Sequence, residues 1–110
     1  MKKEILNWLL ARGLTEVVIN DSGIYFDEGK NKIVIPIKDL YGKVIFNKYR
    51  RNPFIQNSTD PKYSYDYGAS GALFNAHKIE KGCKLFITEG ETDALLLTSL
   101  GLRAVSSTGG

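Results

Sequence analysis

Between Ile87 and Leu97 the chain reads ITEGETDALLL, which places three carboxylates, Glu89, Glu91 and Asp93, within five residues. Two kinds of chemistry fit that spacing. Acidic side chains favour the first turn of a helix, where they oppose the positive end of its dipole, and Glu91 and Asp93 stand where a leucine-rich pattern begins. Clustered oxygens also suit a hard cation such as Mg²⁺, which takes carboxylate ligands and keeps several waters. Glu89 fits the second chemistry better. It precedes the helix, Gly90 beside it permits a tight turn, and Asp93 follows at the four-residue spacing that brings two side chains together. Helix initiation accounts for Glu91 and Asp93 at least as well as a metal does, and Glu89 is the residue it does not account for.

Such a cluster works only if the surrounding elements aim it. KLFIT, Lys84 to Thr88, predicts a buried strand. Glu91 to Leu100 predicts a helix that is apolar around most of its circumference and therefore buried, with Gly101 in the position of a C-terminal cap. LRAVSS, Leu102 to Ser107, predicts a second strand, followed by TGG. The result is a β-α-β unit with parallel strands and a right-handed crossover. Ligands of open parallel sheets bind beyond the carboxyl ends of the strands. Glu89 occupies that end of the first strand and Ser107 to Gly110 that end of the second, so both face one edge. The open edge beyond Ala104–Ser107 is expected to pair with another chain or to be poorly ordered.

Upstream, residues 3–12 predict a short helix with Ile5, Trp8 and Leu9 on one face and Gly13 as its stop. KIVIPI, Lys32 to Ile37, and KVIFNKY, Lys43 to Tyr49, are strand-like and flank the turn DLYG, an antiparallel hairpin in which Pro36 suits an edge or strand end. Residues 51–72 are rich in Asn, Ser, Asp, Pro, Gly and Tyr and predict a long loop with one short strand near Lys62 to Tyr65. The fold class is α/β with an α+β lead-in: an antiparallel hairpin subdomain over residues 1–82, then a parallel β-α-β unit over residues 83–110.

The chain has 110 residues, one domain or a piece of one, and a net charge of +3. From Lys30 to Lys62 eight basic residues stand against Asp39 and Asp60 alone. A basic middle followed by an acidic cluster suits a polyanion that meets a cation site. Arg50 and Arg51 are adjacent at a strand end and therefore point to opposite faces. Tyr49, Tyr63, Tyr65 and Tyr67 have the chemistry to stack on bases, although packing against a half-buried sheet is the expectation for most of them. Cys83 and His77 are each the only residue of their type, which excludes a cysteine–histidine zinc site or a disulfide within one chain. Cys83 is expected to be buried and the compartment reducing. No apolar run is long enough to span a membrane, and the lysine-led start lacks a cleavage pattern, so a cytoplasmic protein is expected.

ITEGETDALLLTSLGLRAVSSTGG resembles the first half of a Toprim domain, the nucleotidyl-transfer and strand-cleavage module. Its Glu-Gly-x-x-Asp motif is matched by Glu89, Gly90 and Asp93, and the variant with Glu91 and Ala94 is most similar to bacteriophage primase-helicases. IVIPIKDLYGKVIFNKYR, then PKY, then LFN resembles the segment that precedes Toprim in DnaG-type primases. The resemblance spans roughly residues 30–110, and it is the order and spacing of the motifs together that make it specific; the N-terminal WLLARGL fits the family's short leading helix.

The resemblance implies a DNA primase core, with residues 1–82 as the basic, nucleic-acid-facing subdomain and 83–110 as a partial Toprim domain. It implies template-directed synthesis of RNA primers by Mg²⁺- or Mn²⁺-dependent nucleotidyl transfer. Glu89 would be catalytic and metal-associated, and Asp93 would support the metal. Arg50 and Lys62 would hold the single-stranded DNA template and nucleotides, and a replicative helicase is the implied further partner. A third basic position of bacterial primases falls near Ala69, a departure. The second Toprim motif, Asp-x-Asp, does not occur before Gly110, nor does a zinc module precede the core. The metal site is therefore expected to be incomplete and the chain inactive by itself. The alternative is a non-catalytic single-stranded nucleic-acid-binding or assembly module with a Toprim remnant.

Overall fold

The computed structural model describes residues 1–56, 58–69 and 71–108. Helix α1 (Lys3–Ala11) buries Ile5 and Leu9, as their four-residue spacing requires. It ends where Gly13 takes a positive φ of 95°; a Cβ there would also lie 2.4 Å from Leu96 Cδ1. Residues 14–31, for which no element is predicted above, hold helix α2 (Glu16–Ser22) and strand β1 (Tyr25–Asp27). Thr15 caps α2 by accepting a hydrogen bond from the Val18 amide at 3.2 Å, the role for which a threonine is favoured at that position.

The predicted hairpin is present as β2 (Lys32–Lys38) and β3 (Val44–Arg51). Asp39 closes its turn, its Oδ1 accepting from the amides of Tyr41 at 2.9 Å and Lys43 at 3.0 Å. With β1 and β4 (Tyr63–Tyr65) the hairpin makes a four-stranded sheet of order β1-β2-β3-β4, antiparallel throughout. The β1 ladder stops at Val34, so Pro36 pairs with Asn47 on one side only, where a residue without an N–H is tolerated.

The second sheet has the order β5-β7-β6, from β5 (Leu73–Phe74), β6 (Leu85–Thr88) and β7 (Arg103–Ser107). A short 3₁₀ turn, Ala76–Lys78, follows β5. Strands β6 and β7 are parallel and joined through helix α3 (Glu91–Ser99), the expected β-α-β unit. Strand β5 pairs antiparallel with β7. One core joins both sheets: Ile5, Leu9 and Ile19 meet Ile33, Ile35 and Ile37 of β2, Phe74 of β5, Ala94 and Leu95 of α3, and Ala104 of β7.

Four expectations are corrected here. The edge strand is β6, with Ile87 79% exposed, and not a buried strand; β7, with Ala104, Val105 and Ser106 buried, is the centre and not the open edge. Nothing local foretells this, because β7 gains its second neighbour from Leu73 and Phe74, a strand too short to show a period. Cys83 is exposed, since it closes a surface turn by donating its amide to the Glu80 carbonyl at 3.2 Å. Gly90 sits in extended backbone, φ −135° and ψ 156°, which any residue adopts; the approach to α3 does not require glycine. Among the described residues no helix is long and apolar enough to cross a membrane.

Candidate nucleic-acid interface and carboxylate site

The carboxylate segment is aimed by the end of β6. Thr88 Oγ1 lies 2.9 Å from the Gly90 carbonyl and 3.3 Å from that of Val105, tying the turn before α3 to the neighbouring strand. Glu89 stands in that turn and Asp93 at the third position of α3, and both are exposed. Neither has an ion pair among the described residues. No group of three or more metal-ligating side chains occurs among the described residues. Glu89 and Asp93 are carboxylates of the type a hard cation takes, and such a cation completes its shell with water. Gly109 and Gly110, expected at the same edge, lie outside the described residues.

Glu91 has a different role. It is 3% exposed, and both its carboxylate oxygens lie 3.0 Å from Lys48 Nζ. The Lys48 ammonium also donates to the Thr108 carbonyl at 3.2 Å, and Tyr65 Oη donates to the same carbonyl at 2.6 Å. Thr108 is bound in turn to residue 72, donating its amide to the Ala72 carbonyl at 3.1 Å and accepting from the Ala72 amide at 2.9 Å. A buried charge persists only when paired and hydrogen-bonded, and here all three ammonium protons have acceptors. Glu91 does begin α3, but its carboxylate fastens that helix to β3 of the other sheet. The partners are 43 positions apart, so spacing gave no sign of the pair. The one available hint is that Lys48 follows Phe46 with the two-residue period of an inward face.

Lys48 and Arg50 lie on the same face of β3. They are cross-strand neighbours of Tyr65 and Tyr63 on one side and of Ile35 and Ile33 on the other. Arg50 Cζ stands 5.3 Å from the Trp8 ring centroid and 5.9 Å from that of Tyr63. Burial holds its guanidinium below its usual range, Tyr63 opposes that shift, and the nearby charges of Arg51 and Arg12 add to it. It donates to the Arg51 carbonyl, and no carboxylate meets it among the described residues. Arg51, on the opposite face, donates to the Asp60 carbonyl at 2.8 Å. Lys62 is exposed, its Nζ 5.7 Å from the Tyr63 ring centroid. The structure therefore brings Arg50 and Lys62 to one ring. Because Lys48 binds Glu91, Arg50 lies roughly 7 Å further along the strand from that junction.

The tyrosines divide as their faces require. Tyr49 is buried on the outer face and donates to Asp66, Tyr63 and Tyr65 are about two-fifths exposed along β4, and Tyr67 is fully exposed. His77 is partly buried in the 3₁₀ turn, where burial and then the charges of Lys38 and Lys78 hold its imidazole below the ordinary value.

No family model matches the sequence, and no curated protein matches it. Solved structures do. The zinc-binding and RNA polymerase domains of the Aquifex aeolicus primase superpose with a TM-score of 0.76 at 22% identity, over 96% of this chain and 36% of that one. The DnaG primase catalytic domain bound to single-stranded DNA gives 0.74 at 22% identity, over 97% of this chain and 47% of that one. The primase fragment of the bacteriophage T7 primase-helicase gives 0.70 at 27% identity, over 92% and 41%. The chain has the fold of part of a primase catalytic core. More particularly, it is similar to DnaG-type and phage T7 cores over most of its own length, while spanning less than half of each of those chains.

Proposed function

We propose that this chain is part of a DNA primase catalytic core, which joins ribonucleotides on a single-stranded DNA template. The observation that carries the reading is the junction at Lys48. One strand face presents Arg50, beside Lys62, and two residues away is fastened to the helix whose first turn carries Asp93 and follows Glu89. The reading is supported by the way one ion pair joins the strand face that carries Arg50 to the helix that follows Glu89, on a primase-like fold.

On this reading Arg50 and Lys62 grip template and nucleotide phosphates, and Glu89 and Asp93 hold Mg²⁺ or Mn²⁺. When bound, the ion supplies Lewis-acid stabilisation of the attacking and leaving oxygens of nucleotidyl transfer. On the same reading the carboxylate of Glu89, exposed and without an ion pair among the described residues, would be the catalytic or metal-associated acid. The edge of β6, with Leu85 and Ile87 exposed, is the surface for a further strand of such a core. A replicative helicase would be a partner of the whole protein. In the full-length protein, Glu89→Ala should abolish primer synthesis and leave affinity for single-stranded DNA unchanged; synthesis that survives contradicts the assignment.

A second reading, a non-catalytic single-stranded nucleic-acid-binding module, is favoured by one observation: Glu89 and Asp93 gather no third ligand among the described residues. It requires binding through Arg50 and Lys62 that weakens steeply with salt, with Glu89→Ala silent in every assay.

A further inference from the structure

Helix α1 carries a feature that its apolar packing does not account for. Trp8 is only partly buried, and two guanidinium groups lie within reach of its ring. Arg12 Cζ is 4.7 Å from the ring centroid and Arg50 Cζ is 5.3 Å from it. Past Arg50 the series continues to Tyr63, at 5.9 Å, and then to Lys62, at 5.7 Å from the Tyr63 centroid. Cations and ring faces therefore alternate from α1 across to β4: Arg12, Trp8, Arg50, Tyr63, Lys62.

Aromatic faces attract cations, but they carry no net charge to cancel the repulsion between Arg12 and Arg50. A carboxylate would do so, and none pairs with Arg12, Arg50 or Lys62 among the described residues. Glu4, one helical turn before Trp8, lies 3.8 Å from Lys2 instead. The like charges of Arg12 and Arg51 also act on Arg50, in the direction expected of an uncompensated cluster. A row of cations assembled against its own repulsion is stabilised by a polyanion whose charges repeat along its length, and the interleaved rings suit a partner with flat faces.

We propose that Trp8 and Arg12 extend the Arg50–Lys62 surface onto α1, forming a continuous track for single-stranded nucleic acid. Arg12 and Arg50 share the grip on the phosphates, and a base stacks on the open part of Trp8. The proposal rests on the reading of Arg50 and Lys62 as nucleic-acid ligands and adds two residues from a different element.

Trp8 is the only tryptophan of the chain, so its fluorescence reports on this site alone. The test is titration of the 110-residue chain with oligo(dT) at several salt concentrations, for the wild type and the Arg12→Ala, Arg50→Ala and Trp8→Leu variants, with folding checked by circular dichroism. The expected result is quenching of Trp8 on binding. Arg12→Ala should lower the log–log salt slope by about 0.7, the share of one phosphate on a single strand. Trp8→Leu, followed by anisotropy of labelled oligonucleotide, should bind about tenfold more weakly, as loss of a stacking platform does. If Arg50→Ala weakens binding while Trp8 fluorescence or the Arg12→Ala slope stays unchanged, the track ends at Arg50 and this proposal fails alone. If oligo(dT) does not bind, or Arg50→Ala binds like the wild type, the underlying reading fails with it. Arg12 is exposed, so its variant remains informative even if Trp8→Leu fails to fold.

Discussion

Lys48 and Arg50 stand two residues apart on one face of one strand, each beside a tyrosine of β4, and their circumstances are opposite. Lys48 is 7% exposed and holds Glu91 in a fully satisfied ion pair. Arg50 is packed between Trp8 and Tyr63, near other cations, and meets no carboxylate among the described residues. The difference separates what a charge does for the fold from what it does for a ligand. Lys48 has its anion built in and locks two sheets together. Arg50 is held in place by rings and backbone with its charge uncompensated, which is the state of a group awaiting an external anion.

The largest effect should come from breaking the built-in pair. Glu91→Ala leaves a buried ammonium without its anion and should cost roughly 3–5 kcal/mol of stability in urea unfolding. The double variant Lys48→Met/Glu91→Leu removes both charges and should recover most of that loss. A single variant as stable as the wild type would mean that the pair is hydrated and does not lock the sheets.

Arg50→Ala should show the reverse pattern. Its stability should change by less than about 1 kcal/mol, as for an unpaired, partly solvated cation, while oligo(dT) affinity falls and the salt slope drops by about 0.7. Tyr65→Phe sharpens the contrast at smaller amplitude. It removes the 2.6 Å hydrogen bond to the Thr108 carbonyl and should cost about 1 kcal/mol, with little effect on the salt slope.

The smallest effect concerns the outer face of the same strand. The Tyr49 hydroxyl donates to Asp66, which holds the Asp66 carboxyl below its ordinary 3.8 and the Tyr49 phenol above its ordinary 10.0. The depressed carboxyl contributes stability that is present above pH 3.8 and is lost as pH falls through its folded value. The raised phenol contributes stability that is present below pH 10.0 and is lost as pH rises through its folded value. Asp66→Asn should therefore flatten both limbs of a stability–pH profile without altering binding.

How much of this was legible in the sequence follows from the range of the interactions. The β2–β3 hairpin and the β6-α3-β7 unit are encoded by local periodicity and turn residues such as Asp39, and both are present in the structure. Arg50 and Lys62 both lie near the Tyr63 ring, and Glu89 and Asp93 are exposed on either side of the start of α3. Strand order was not legible, because the centrality of β7 depends on a two-residue strand brought in from position 73. The exposure of Cys83 and the pairing of Glu91 with Lys48 were hidden for the same reason: each is decided by what folds against the residue, not by its neighbours in the chain. A motif that reads as three acids in a row is in fact one acid for the fold and two facing solvent.

Oligo(dT) binding as a function of salt, compared for the wild type, Arg50→Ala and the Lys48→Met/Glu91→Leu double variant, separates the charge that serves the fold from the charge that serves a ligand. The double variant should keep the wild-type salt slope, while Arg50→Ala should lose affinity and slope together. A wild-type slope and affinity in Arg50→Ala, or loss of the slope in the double variant alone, would contradict that separation.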